Sequence, residues 1–360
     1  DQQKMKTLLL APTGRASKRM SDATGREAST IHRALSVDFV TKKFYYNDKN
    51  PLAHDAIIID EFSMVDISLA HYLFSAIKRD AKVIMVGDKD QLPSVGAGNV
   101  LDDIIKSGAI KVSALTQIFR QDENSLIVTN AHKINNGEMP ELDNVSKDFF
   151  FETKMENIDI AESIVGLVSE RLPKFLNLPP TSIQVLSPLK NGVCGVENLN
   201  KVLQEKLNPP RLNKSEYQIG ATMLREGDKI MQTMNNYNLE WEQRTDYEVI
   251  SGTGVFNGDM GYITSIDRSS GEVSVMFENN KVCIYPRNEL NQLSLAYAIT
   301  IHKSQGSEFD CVIVPLIDTP TQLLYRNLLY TAVTRAKKLL IIVGLESVYE
   351  KMATNDKKTL

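Results

Sequence analysis

Cysteine is scarce: the 360 residues hold three, Cys194, Cys283 and Cys311, far apart and without CxxC spacing. That pattern excludes a disulfide scaffold and points to reduced thiols in a cytosol. Long apolar runs are absent, none approaching the eighteen residues that a membrane span needs. The opening stretch DQQKMKTLLLAP has too short an apolar run for a signal peptide. Excess positive charge is absent too, with 41 Lys+Arg against 45 Asp+Glu and a net charge of -4. A generally basic surface is thereby excluded, and any nucleic-acid binding would need a local groove.

What remains is ordinary globular material, 42% hydrophobic, 24% charged and 7% aromatic, which excludes disorder and collagen-like repeats. The length predicts two or three domains. Residue 1 is Asp rather than Met, which reads as the start of a fragment.

Short apolar runs at Lys6–Ala11, Ala56–Asp60 and Lys82–Gly87 read as buried strands, each followed by a polar loop and a helical stretch. Continuous apolar strands separated by helices predict a parallel sheet covered on both faces, with ligands beyond the carboxyl ends of its strands. All the polar clusters below are expected at such ends. Val37 to His54 carries two β-prone runs around the turn-rich Asn47–Pro51, and predicts a protruding hairpin. A second α/β pattern starts near Phe149, with strands at FFFE and SIQVLS. From about Ile219 to Leu295 the texture changes to GDKIMQTM, GYITSID, GEVSVMF and KVCIYP, whose turn spacing predicts a small β-barrel. The α/β pattern then resumes with CVIVPLI and LLIIVG, so the barrel reads as an insertion. The expected architecture is α/β: a first parallel-sheet domain over 1–115 and a second over 116–220 and 296–360, with the barrel at 221–295.

Six stretches carry chemistry. In IIIDEFSMVD a strand ends in Asp60 and Glu61. Such a pair can hold hydrated Mg²⁺ through Asp60 and activate water through Glu61, or stand as solvated acids. In VIMVGDKDQLPSVGAG, Gln91 is placed to sense a γ-phosphate or orient water, unless this is an ordinary loop whose glycines serve turns. Arg120 in LTQIFRQ and Arg335 in YTAVTRAKK offer planar guanidinium forks suited to phosphoryl oxygens. ITIHKSQGSEFD supplies Thr300, His302, Lys303, Ser304 and Gln305 as a run of donors for a phosphate backbone, with Gly306 and Glu308 facing nucleotide. APTGRASKRM places Thr13, Gly14, Arg15, Lys18 and Arg19 at a helix N-terminus, where phosphates bind, or on an ordinary amphipathic helix.

Together APTGRAS, TIHRAL, IIIDEFSMVD, VGDKDQLPSVGAG, LTQIFRQ, VFNGDMGYI, ITIHKSQGSEFD and LYTAVTRAKK resemble the superfamily 1 DNA helicases, most closely their RecD-like branch, across nearly the whole chain. The resemblance implies two RecA-like domains with ATP and Mg²⁺ between them, and 5′-to-3′ movement on single-stranded DNA toward duplex junctions. It also implies a strand-separating pin at 37–54, a Src-homology-like barrel that touches DNA, and a cytoplasmic, bacterial setting with other repair proteins as partners. Carried over, Asp60 and Glu61 become the Mg²⁺ and water residues, Gln91 the coupling glutamine, and Arg120 and Arg335 the γ-phosphate arginines. Gly306 and Glu308 join the ATP site. Thr13, Arg15, His32, Asn257, Thr300, His302, Lys303 and Ser304 become DNA contacts.

One departure stands out. The family's GxxxxGK[ST] phosphate loop should precede APTGRAS, and the sequence contains no Gly-Lys dipeptide at all. The expectation is a motor portion that does not turn over ATP unaided. A helicase segment of a conjugative relaxase and a non-catalytic single-strand-binding remnant are the competing readings. A separate nuclease metal site is not expected.

Overall fold

The structure is a computed structural model that describes residues 5–38, 43–115, 125–142, 144–245, 248–318 and 323–356. The chain divides into two compact units, Asp1–Arg120 and Gln121–Lys357.

The first unit runs β1 (Thr7–Ala11), α1 (Gly14–Thr24), β2 (Ala28–Thr30), α2 (Ile31–Ala34), β3 (Val37–Asp38), β4 (Lys43–Phe44), β5 (Ala56–Ile59), α3 (Ile67–Ala76), β6 (Lys82–Met85) and α4 (Val100–Ser107). Four strands form a parallel sheet in the order β2-β1-β5-β6. Leu10, Ile57 and Ile59 are fully buried and share a core with Leu35, Phe62 and Leu73. Burying one such side chain contributes about 1.5–3 kcal/mol, which is why uninterrupted Leu and Ile runs become the inner strands. At the edge strand β6, Ile84 stays 53% exposed, so the sheet is not covered on both faces there.

The second unit runs α5 (Leu126–Asn136), β7 (Phe149–Thr153), α6 (Asn157–Gly166), α7 (Leu172–Leu176), β8 (Ile183–Ser187), α8 (Val196–Leu207), β9 (Glu216–Ile219), β10 (Thr222–Arg225), β11 (Lys229–Gln232), β12 (Asn236–Arg244), β13 (Val249–Val255), β14 (Met260–Ile266), β15 (Val273–Phe277), β16 (Lys281–Tyr285), β17 (Leu293–Leu295), β18 (Ala298–Thr300), β19 (Phe309–Leu316), α9 (Arg326–Thr334), β20 (Ala336–Gly344) and α10 (Glu346–Thr354). Its parallel sheet has the order β18-β8-β19-β20-β7. Between β8 and β18 the chain builds a seven-stranded antiparallel sheet, β13-β12-β16-β15-β14-β11-β17, and the short hairpin β9-β10. Buried Ile230, Val275 and Tyr285 of this insertion belong to one core with Val185, Ile313 and Ile341 of the parallel sheet. The joint is also polar. Fully buried Asp228 accepts from Asn208, Gln204, Tyr297 and the Arg225 N–H. Asn200 bridges Leu295 O and the Ala298 backbone. Trp241, the single tryptophan, lies over Gly252 and carries the Lys281 ammonium 3.6 Å from its ring centroid.

Several expectations need correction. The sequence predicts four strands in the antiparallel region, and β12 and β13 add a long hairpin to them. β13 is largely exposed, so its apolar patterning is weak, while β12 alternates exposed residues with Tyr237, Leu239 and Trp241. The antiparallel strands pair in sequence from β13 at one end to β17 at the other. In the 37–54 stretch, β3 pairs antiparallel with β4, so the connection of that hairpin falls at 39–42, outside the described residues. Asn47–Asn50 instead makes its own turn. The Asn47 side chain donates to Phe44 O and Tyr45 O and accepts from the Lys49 and Asn50 N–H groups.

Candidate functional site

In the first unit, parallel pairing sets the carboxyl ends of all four strands along one edge. The ends are also tied to each other. Asp60 N donates to Leu10 O at 2.9 Å, and Phe62 N to Val86 O at 2.8 Å. After β1, Thr13 caps α1, accepting from Ala16 N at 3.2 Å, with Arg15 in the first turn. After β2 comes His32, on α2, whose pKa is lowered by burial against the opposing effect of Asp66.

After β5, the Asp60 Oδ1 accepts the Glu61 N–H at 2.9 Å. Glu61 itself is left-handed, with φ 50° and ψ 40°. That conformation costs a residue with a β-carbon, and such outliers persist where the surroundings fix them, often at working sites. Two residues on, the Ser63 hydroxyl is buried without a hydrogen-bond partner. After β6, Gln91 Nε2 donates to Asp88 Oδ2 at 3.1 Å. Gly87 has no room for a side chain: a β-carbon there would meet Phe62 N and Ser63 N at 3.1 and 3.0 Å. The Gly96–Gly98 loop returns onto α3, whose cap Asp66 would lie 2.5 Å from a Gly96 β-carbon.

Thus Thr13, Arg15, Asp60, Glu61 and Gln91 follow strand ends on one edge, as expected, and His32 follows the end of β2, a strand the sequence does not predict. Arg120 lies outside the described residues. Asp66 and Ser63 were missed as members of the site. The Asp66 cap was visible in principle as an acid directly before an apolar-periodic run.

The second unit separates its candidates. Thr300 ends β18, and its hydroxyl accepts the Lys303 N–H at 3.3 Å. His302 follows, its pKa lowered by burial, and Lys303 is lowered by desolvation and by Lys190. Ser304 is fully buried with its hydroxyl donating to Ile301 O, so it shapes the turn and offers nothing to solvent.

Gly306 and Glu308, by contrast, lead into the amino end of β19, beside Arg335 at the amino end of β20. Registers put Thr300 level with Pro315 across β8, about six residues or roughly 20 Å of strand from Phe309. The expectation that every polar cluster lies at carboxyl ends is therefore wrong for these three. The reason is covalent. Arg335 ends α9 and feeds directly into β20. Only 4% exposed, Arg335 donates to Thr331 O, Ser307 O and Thr334 Oγ1. Glu308 faces Lys337 at 3.7 Å. Asn257 sits exposed between β13 and β14, its N–H bonded to Asn235 Oδ1. No group of metal-ligating side chains, and no helix able to cross a membrane, occurs among the described residues.

Comparison with known proteins adds three family profiles. Residues 1–152 match an AAA domain, 199–277 the ATP-dependent RecD-like DNA helicase SH3 domain, and 295–343 the UvrD-like helicase C-terminal domain. The ATP-dependent RecD2 DNA helicase of Deinococcus radiodurans is 33% identical over 97% of this chain and 44% of its own length. The RecBCD enzyme subunit RecD of Mycobacterium tuberculosis is 29% identical over 94% of this chain and 60% of its own. The chain thus spans less than two thirds of these relatives. Among solved structures, Pif1 helicase from Bacteroides in complex with ADP-AlF3 and ssDNA superposes with a TM-score of 0.54, at 19% identity, covering 96% of this chain and 84% of that one. Pif1 helicase from Candida albicans gives 0.54 at 16% identity, covering 94% and 84%. These two share the fold.

Proposed function

We propose that this chain, which carries the RecD-like helicase SH3 profile and is 33% identical to a RecD2 helicase, is the motor portion of an ATP-dependent DNA helicase of the RecD-like branch of superfamily 1. It would move 5′ to 3′ on single-stranded DNA and open duplex at junctions, in the bacterial cytoplasm and alongside other repair proteins. The observation that carries this reading is the single strand-end edge holding Asp60, Glu61 and Gln91.

That edge suits Mg²⁺ and a nucleotide. Asp60 uses Oδ1 on the Glu61 N–H and leaves Oδ2 without a protein partner among the described residues, while the buried Ser63 hydroxyl is unpaired. Mg²⁺ in nucleotide sites takes one or two carboxylates together with phosphate oxygens and water, so one carboxylate is enough. Bound ATP with Mg²⁺ supplies the phosphoryl bond whose hydrolysis drives movement. Glu61 then accepts a proton from the attacking water, and Gln91 orients that water. Arg335, Gly306 and Glu308 are assigned to nucleotide by their motifs, and Arg335 would exchange Ser307 O and Thr334 for phosphoryl oxygens. Arg120 is assigned the same task by its motif. Thr13, Arg15, His32, Thr300, His302, Lys303 and Asn257 would line the DNA path, with Ser304 setting the Thr300 turn. We read the antiparallel sheet as a small Src-homology-like barrel and β3-β4 as part of the strand-separating pin.

Glu61→Gln in the full-length polypeptide should lower the ATP turnover rate by about 10²–10⁴ while leaving nucleotide affinity unchanged. DNA-stimulated phosphate release and fluorescent-nucleotide titration measure the two. Hydrolysis at the wild-type rate would remove Glu61 from this role.

A further inference from the structure

The antiparallel sheet turns one face of β12, β16 and β15 outward. Its register sets Glu242 beside Val282 and Val282 beside Met276. A cavity of about 710 Å³ lies over this face. Its floor is apolar, from Met276, Val282 and Ile284, and Ile284 is 58% exposed. Its margin is acidic, from Glu240, Glu242 and Glu289. Among the described residues Arg244 is the one basic lining residue and lies 3.6 Å from Glu242, so three carboxylates stand against one guanidinium. None of the residues assigned to nucleotide or DNA lines the cavity. A phosphate backbone is the wrong occupant, because it needs cations and meets carboxylates here.

We propose that this face docks an extended segment of a partner protein in which basic and apolar side chains alternate. In an extended chain successive side chains point to opposite sides, about 3.3 Å apart along the strand. A segment lying on edge across the face can therefore send apolar groups to Met276, Val282 and Ile284 while its lysines or arginines reach the glutamates. Apolar contact fixes the affinity, and charge complementarity fixes which partners are admitted. The inference is independent of the ATP and DNA assignments, since it uses none of their residues.

The probe is a short fluorescein-labelled peptide of alternating lysine and valine, titrated into the full chain. Its counterpart with glutamate for lysine and a poly-dT strand are run beside it. The lysine peptide should bind, and the glutamate peptide should not. The double variant E240K/E242K should weaken the lysine peptide by about 10-fold or more. I284D, at an exposed position, should weaken it too, with both variants keeping the wild-type circular dichroism spectrum. Failure of the lysine peptide to bind, equal affinity in wild type and both variants, or its displacement by poly-dT would each overturn the proposal.

Discussion

Glu61 holds φ 50°, a conformation that costs a residue with a β-carbon about 1–2 kcal/mol relative to its right-handed form. The position is thus a poor place for glutamate by backbone criteria, and its side chain must justify it. Glu61→Gly should raise the unfolding free energy by about 1 kcal/mol in a denaturant melt while removing ATP turnover. A destabilised Glu61→Gly protein would mean that the carboxylate itself contributes to the fold. His302 makes a pH prediction. Burial lowers its pKa below the ordinary 6.5, so the unfolded chain takes up a proton before the native one does. Its contribution to stability is complete above the unfolded value and is lost as pH falls below it. Between about pH 7.5 and about pH 5.5 the wild type should lose more urea resistance than His302→Gln. Equal losses would show that His302 is not the titrating group.

Among the elements, β1, β5 and β6 were legible because each is a short apolar run closed by a polar loop, and Asp60, Glu61 and Gln91 came with them. β2 was not. Its three residues lie in a stretch rich in Arg, Ser and Thr, and only pairing with β1 makes Ala28–Thr30 a strand. β13 escaped because most of its residues are exposed, whereas β12 carries a readable alternation of Tyr237, Leu239 and Trp241 with Asn238, Glu240 and Glu242. The amino-end position of Arg335 was readable in principle, because a residue that directly precedes a strand must sit at that strand's amino end. Close approach of loops was silent in the sequence. Gly96→Ala should push Asp66 out of its cap on α3 and lower unfolding free energy by about 1–3 kcal/mol, read from the denaturant midpoint. An unchanged midpoint would show that the Gly96 loop yields freely.

Across the whole molecule, the net charge of -4 would leave the proposed DNA affinity to a few local cations. Of the residues proposed for the path, His302 is kept neutral by burial, and Thr13, Thr300 and Asn257 carry no charge. Arg15 and Lys303 remain as the principal positive groups. Each phosphate neutralised on a single strand steepens the slope of log affinity against log salt by about 0.7. Arg15→Ala should therefore flatten that slope by about 0.7 in a poly-dT titration across salt concentrations. An unaltered slope would take Arg15 off the path.

The insertion also has an optical identity. Trp241 is the chain's one indole, set on β12 with the Lys281 ammonium 3.6 Å over its ring. Emission excited at the red edge of absorption therefore comes from the antiparallel sheet and from no other part of the molecule. A cation so close to one face of the ring biases its excited state, so any event that lifts Lys281 away is written into the colour of the emitted light.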